Sequence, residues 1–284
     1  MLIACVQSDV TFAKVDQNVE RVCQWLEQAG QIDRGAEAES GLVVFPECML
    51  SGYVFDNREA AFESAIEIHD LRFSAIADVC RQNQLLAVIG FVERQHDQIY
   101  NACALVGGGG VLGTYRKVHL PHLGIDRFTD RGTQPFEPIE VPGATPFQIG
   151  MAICYDGSFS EPIRCLSLSG ADIVVLPTNW PVEGCQVADI VPRARSHENH
   201  IYFAAANRVG SENGTTFAGR SSICGPDGMV LAQNPGSDEG LIWADVDITQ
   251  SRKKRIERVP GEHVIDRFAD RQPQFYGKIG QPVE

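Results

Sequence analysis

Short continuous apolar runs alternate along this chain with apolar residues at helical spacing. Leu2 to Gln7 is a compact run, and Val15, Val19, Val22, Cys23 and Leu26 then recur on one helical face, which predicts a strand followed by an amphipathic helix. Leu42-Val43-Val44-Phe45 is stopped by Pro46, the pattern of a strand covered on both faces, so Glu47 falls at a strand's end. A second helical pattern passes through Phe62, Ala65, Ile66, Ile76, Ala77 and Cys80, with an interruption near Leu71, and leads into a strand at Leu85 to Gly90. Ala102 to Val106, a glycine run from Gly107 to Gly110, and Val111 to Tyr115 read as an antiparallel hairpin. The glycine run lacks phosphate-cradle spacing and a following helix, so a plain turn is the better reading.

The alternation repeats in the second half. Phe147 to Ile153 reads as a strand, Glu161 to Ser169 as a helix, Ile173 to Leu176 as a strand, Val187 to His197 as a helix and Ile201 to Ala206 as a strand. Gly225-Pro226-Asp227-Gly228 is a turn signal, with closing strands expected at Met229 to Leu231 and Leu241 to Val246. No Pro/Ser/Gly-rich hinge divides the chain. One domain over residues 1–284, a mixed sheet with covering helices, is the economical reading, with 260–284 as a polar C-terminal arm that packs on a partner subunit or lies on the surface.

Composition narrows the class. The 284 residues are 44% hydrophobic and 21% charged, as in folded globular proteins. A formal charge of −13 repels phosphates and anionic lipid, so neither nucleic acid nor membrane is an expected partner. The basic run Arg252-Lys253-Lys254-Arg255 is expected to be a solvated helix face. The N-terminal residues lack a secretory pattern, and nine scattered cysteines without Cys-x-x-Cys spacing argue against disulfides or structural zinc. A reducing cytoplasm is the expected setting.

Among those thiols Cys154 stands apart, because an apolar strand delivers it to a turn before a helix. Such a turn exposes the side chain and frees backbone N–H groups, that of Tyr155 included, to bind an oxyanion. Glu47 ends another buried strand and suits a general base. Lys117, in Tyr115-Arg116-Lys117-Val118-His119-Leu120-Pro121, follows the hairpin among apolar neighbours. A thiol, a carboxylate and an amine at three strand ends converge on one rim, where α/β folds build sites. His119 and His122 flank Pro121 without a third ligand near in sequence, so no metal site is expected. Arg195, Glu198 and Asn199 are expected to brace the rim, and Tyr53, Tyr155, Trp180 and Phe128 to wall the pocket.

Phe45-Pro46-Glu47, Tyr115 to Pro121 and Cys154-Tyr155-Asp156 resemble, in order and spacing, the three signature segments of the nitrilase, or carbon–nitrogen hydrolase, superfamily. The likeness extends through Glu161, Arg164, Gly170-Ala171-Asp172, Pro177-Thr178-Asn179-Trp180, Arg195, Glu198-Asn199, Asn207 to Gly210 and Ser222 to Gly228. The resemblance implies a four-layer α-β-β-α sandwich assembled as a homodimer or higher homo-oligomer through helices near the active-site face. It implies Cys154 as nucleophile, Glu47 as base and acid, and Lys117 with the Tyr155 N–H as oxyanion stabilisers, with no cofactor. Lys117 is expected to favour the thiolate of Cys154. Many relatives carry a further glutamate after the lysine segment. No Glu lies in Leu123 to Phe128, and Asp126 is the candidate stand-in.

Tyr155-Asp156 is similar to amidases, whereas nitrilases usually carry Trp-Glu and carbamoyl-amine hydrolases often Trp-Asp. A small linear amide is therefore the expected substrate, with N-carbamoyl-amine and nitrile hydrolysis as alternatives. A catalytically silent scaffold fits poorly with an intact Glu47, Lys117 and Cys154. A thiol redox protein would need a resolving cysteine, and Cys165, on the next helix, reads better as core packing.

Overall fold

The computed structural model describes residues 1–34 and 40–282; residues 35–39 and 283–284, the latter ending the expected arm, lie outside them. In chain order the strands that build the fold are β1 (Leu2–Gln7), β2 (Gly41–Val44), β3 (Leu85–Gln95), β4 (Gln98–Gly107), β5 (Gly110–Arg116), β6 (Ile139–Val141), β7 (Phe147–Met151), β8 (Ile173–Thr178) and β9 (Tyr202–Asn207). A short hairpin, β10 (Ser211–Glu212) with β11 (Thr215–Thr216), precedes β12 (Ser222–Cys224), β13 (Val230–Gln233) and β14 (Gly240–Asp245). The helices are α1 (Val15–Gly30), α2 (Arg58–Glu63), α3 (Leu71–Asn83), α4 (Ser160–Leu168) and α5 (Cys185–Asn199).

Two six-stranded sheets form, in the orders β14-β1-β2-β3-β4-β5 and β13-β12-β9-β8-β7-β6. In each, three central strands run parallel and the flanking strands antiparallel, so the two halves of the chain build similar layers.

The two-residue period of a strand assigns the side chains of the first sheet to two cores. Ile3, Cys5, Leu42, Val44, Val88, Cys103 and Leu105 join the second sheet's residues in one cluster. Ala4, Val6, Val43, Phe45, Ile89 and Phe91 alternate with them and pack with Val22 and Leu26 of α1 and Ile76 and Cys80 of α3. Ile163 and Leu166 of α4 and Val191 of α5 cover the second sheet, giving the expected α-β-β-α layers.

Local signals set the helix limits. Asn57 caps α2 by accepting the Ala60 N–H and Asp70 caps α3 by accepting the Arg72 N–H; these caps turn the interruption near Leu71 into a break between two helices. Among the described residues no helix is long and apolar enough to cross a membrane.

The basic run is not a solvated helix face. Arg252 pairs with buried Asp172 at 2.9 Å, and Lys254 Nζ donates to the carbonyls of Asn199 and His200, where a helix leaves acceptors over. Arg255 opens β15 (Arg255–Val259), which forms a hairpin with β16 (His263–Asp266) in the C-terminal segment. Charge complementarity to distant partners, invisible in local composition, decides this segment.

Candidate active site

Glu47 follows β2, Lys117 follows β5, and Cys154 follows β7. The first two come from one sheet and the third from the other, and they meet where these strands end. The Phe45 N–H still bonds Val88 O at 2.9 Å, so β2 pairing runs up to the residue before Pro46. The backbone of Lys117 is held on both sides, its N–H by Asn101 O at 2.8 Å and its carbonyl by the Gly132 N–H at 2.9 Å.

Lys117 Nζ stands 2.7 Å from Glu47 Oε1 and 2.6 Å from Asp126 Oδ2, and all three side chains are closed to solvent. Asp126 sits on a single 3-10 turn, Gly124–Arg127, which brings its short side chain in despite the missing glutamate. Asn101 Nδ2 donates to Glu47 Oε1 at 2.7 Å and to Asp126 Oδ1 at 2.8 Å. The Tyr53 hydroxyl donates to Asp126 Oδ2 at 2.8 Å. Tyr53 is itself held by its backbone N–H on Glu212 Oε1, a carboxylate that the buried Arg208 pairs at 2.7 Å. Glu47 Oε2 is buried and accepts no hydrogen bond from any described residue.

Burial pushes the Glu47 carboxyl up from its ordinary range, while Lys117 pulls it back and Asp126 adds to the rise. Burial alone would depress Lys117, but Glu47 and Asp126 outweigh it and hold the ammonium well above its ordinary value. Lys117 is therefore a fixed cation.

Cys154 begins a 3-10 turn, Cys154–Ser158, that leads into α4. Its φ of +44° is left-handed, a backbone state that costs a non-glycine residue about 1–3 kcal/mol and persists where surroundings impose it. The side chain is 7% exposed. Burial, then the Glu47 charge, push the thiol up, with Lys117, the Thr178 side chain and the Asn179 N–H opposing. Lys117 thus acts on the sulfur in the expected direction, toward the thiolate, but burial and the Glu47 charge act against it.

Asp156 locks the Cys154 turn to the lysine segment. Its Oδ2 accepts the Ile153 N–H at 3.0 Å and the Tyr115 hydroxyl at 2.8 Å, and its Oδ1 faces the His119 N–H at 3.0 Å and His119 Nδ1 at 2.7 Å. His119 is thereby committed, its ring stacked on Phe159 at 4.1 Å. Arg195 braces the same turn, donating to Gly157 O and Ser158 O at 3.0 Å each and pairing with Glu198 at 2.9 Å. Among the described residues no group of three or more His, Cys, Asp or Glu stands ready to hold a metal.

The expected pocket walls part company. Tyr53 belongs to the acid network, Trp180 is buried in the same core cluster as Cys154, Phe128 packs half-buried in an outer cluster with Phe55 and Ile125, and the Tyr155 side chain is exposed. All nine cysteines are free; Cys165 is exposed on α4 rather than packed in the core. Asn101 escaped the sequence reading. Its signal was a lone amide inside the otherwise apolar run from Ile99 to Val106.

The family model for carbon–nitrogen hydrolases matches residues 2–255. A protein of Pyrococcus abyssi named nitrilase is 33% identical over 283 residues, covering 96% of this chain and 98% of its own. The 2-oxoglutaramate amidase of Bacillus subtilis is 28% identical, covering 91% and 95%. A solved amidase from Nesterenkonia sp. AN1, a Gln-for-Glu variant with the acetamide moiety of fluoroacetamide added covalently at its active-site cysteine, is 25% identical with a TM-score of 0.76, covering 98% and 96%. The chain therefore belongs to the carbon–nitrogen hydrolase family, as an amidase-like hydrolase of the nitrilase superfamily.

Proposed function

We propose that this protein hydrolyses the C–N bond of a small linear amide through a thioester on Cys154. The observation that carries the reading is the unshared Glu47 Oε2, a buried acceptor in a cluster whose charge acts on the Cys154 thiol. Glu47 Oε2 takes the thiol proton as sulfur attacks the carbonyl carbon, and Lys117 with the Tyr155 N–H receives the oxyanion. Glu47 then protonates the departing ammonia or amine. A water deprotonated by Glu47 cleaves the thioester, releasing the acid and restoring the thiol. Asp126, with both oxygens engaged, serves as a fixed anion that orients Lys117.

The experiment is ammonia release from a panel of ω-amides, aliphatic amides, carbamoyl amines and nitriles. Turnover of amides supports the reading, and turnover of nitriles alone refutes it. Cys154→Ala is expected to abolish turnover, and Glu47→Gln and Lys117→Ala to cost about 10²-fold or more. A nitrilase remains the second reading because of the name the Pyrococcus relative carries. The free thiols suit a reducing cytoplasm. Homodimerisation belongs to the same reading, supported by apolar Leu168 on α4 and Ile190 on α5 left exposed; sedimentation of the full chain tests it.

A further inference from the structure

Two carboxylates share one ammonium in this site, and the hydrogen bonds around them are unequal. Glu47 Oε1 receives Lys117 Nζ at 2.7 Å and Asn101 Nδ2 at 2.7 Å. Asp126 Oδ1 receives Asn101 Nδ2 at 2.8 Å, and Asp126 Oδ2 receives Lys117 Nζ and the Tyr53 hydroxyl. Three of the four oxygens are therefore engaged. The fourth, Glu47 Oε2, has no described donor.

Asn101 spends both of its amide hydrogens on this division, one per carboxylate. The orientation of its amide is fixed: a flip would set Oδ1 against two carboxylate oxygens, and Oδ1 already lies 3.6 Å from the Cys48 thiol that donates to it. The side chain is 1% exposed, so no water stands ready to replace it.

We propose that Asn101 is a positioning residue: it commits Glu47 Oε1 to the frame of the site and leaves Oε2 as the oxygen that exchanges a proton with Cys154. Protonating Oε1 would displace two donors, and protonating Asp126 would displace at least one. In the step itself the Cys154 S–H bond breaks, an O–H bond forms at Glu47 Oε2, the sulfur electron pair forms the S–C bond, and the carbonyl π pair moves onto the oxygen that Lys117 and the Tyr155 N–H receive. A neutral donor suits this task, because a second cation would hold Glu47 ionised too firmly to accept the thiol proton. Without Asn101, the ionised form of Glu47 loses a donor while Asp126, Lys117, Tyr53, Cys48 and Cys154 still face it.

The inference rests on the amidase reading for its base and nucleophile, and its test needs no amide substrate. Full-length wild type, Asn101→Ala and Asn101→Asp are treated with iodoacetamide across a pH series, and alkylation at Cys154 is quantified by peptide mass spectrometry. Iodide leaves as sulfur bonds carbon and the thiol proton passes to Glu47. Asn101→Ala is expected to slow alkylation at neutral pH about tenfold, the worth of a hydrogen bond to a charged group, and to move the acid limb to higher pH. Asn101→Asp, equal in size but without donors and bearing a charge, moves it further. Acid limbs that coincide with wild type in the folded variants overturn the proposal. Should both variants fail to fold, NMR of the wild-type Asn101 side-chain amide decides. Both protons displaced downfield and tracking the titration that sets the limb support it, and ordinary positions insensitive to that titration overturn it. A wild type that releases no ammonia from amides, yet shows these effects, would remove the substrate reading alone.

Discussion

The Lys117 ammonium stands 2.6 Å from Asp126 Oδ2, with neither side chain exposed. Deleting Asp126 leaves Lys117 paired with Glu47 alone, so the cost falls on the donors that lose Asp126 rather than on an uncompensated charge. Asp126→Ala strands one Asn101 N–H and leaves the Tyr53 hydroxyl only its longer bond to Leu123 O at 3.3 Å. The variant is expected to lose about 1–3 kcal/mol of stability in urea unfolding and to lower kcat more than it raises KM. An unfolding midpoint equal to wild type would show that the carboxylate is dispensable.

Glu47 sets the pH dependence. Its carboxyl is held above the ordinary carboxylate range by burial, and it must be ionised to accept a proton. Activity is therefore expected to fall as pH drops through that raised value, at a higher pH than an exposed glutamate would dictate. The stability trend is opposite: a raised folded-state value favours the protonated form, so this contribution is present at low pH and fades as pH rises through it. Profiles of kcat/KM and thermal midpoint against pH, with Glu47→Gln as reference, check both signs.

Asp156 carries three contacts from the Cys154 turn to the lysine segment and one within the turn. Asp156→Asn replaces one acceptor oxygen with a donor facing donors. A loss of about 1–3 kcal/mol is expected, together with faster hydrogen exchange over residues 117–119 and 153–158. Exchange unchanged there would detach Asp156 from positioning.

Gly90 lies under the general base. A Cβ on it would come within 2.5 Å of Cys48 N and Pro46 O and 2.7 Å of Glu47 Cα, all backbone that has to move. Gly90→Ala is expected to lower kcat/KM about 100-fold through misplacement of Glu47. Gly109→Ala, at a hairpin tip where a Cβ meets nothing within 4 Å, is its control and should be neutral.

Much of the fold was legible because its central strands are buried on both faces, so β2, β8 and β9 read as nearly continuous apolar runs. The convergence of Glu47, Lys117 and Cys154 followed from their places at strand ends. What stayed hidden was pairing over distance. Asn101 meets Glu47 across 54 residues and Tyr53 meets Asp126 across 73, and nothing local marks either pair.

The thioester on Cys154 is the step from which the rest follows. Wild type, acid-quenched while turning over a small amide and weighed intact, reads it directly. The expected result is a mass gain equal to the acyl group, mapped to the peptide containing Cys154 and absent when Cys154→Ala is added. Turnover by wild type with no such adduct in any quenched sample, or an adduct on a different cysteine, would contradict it.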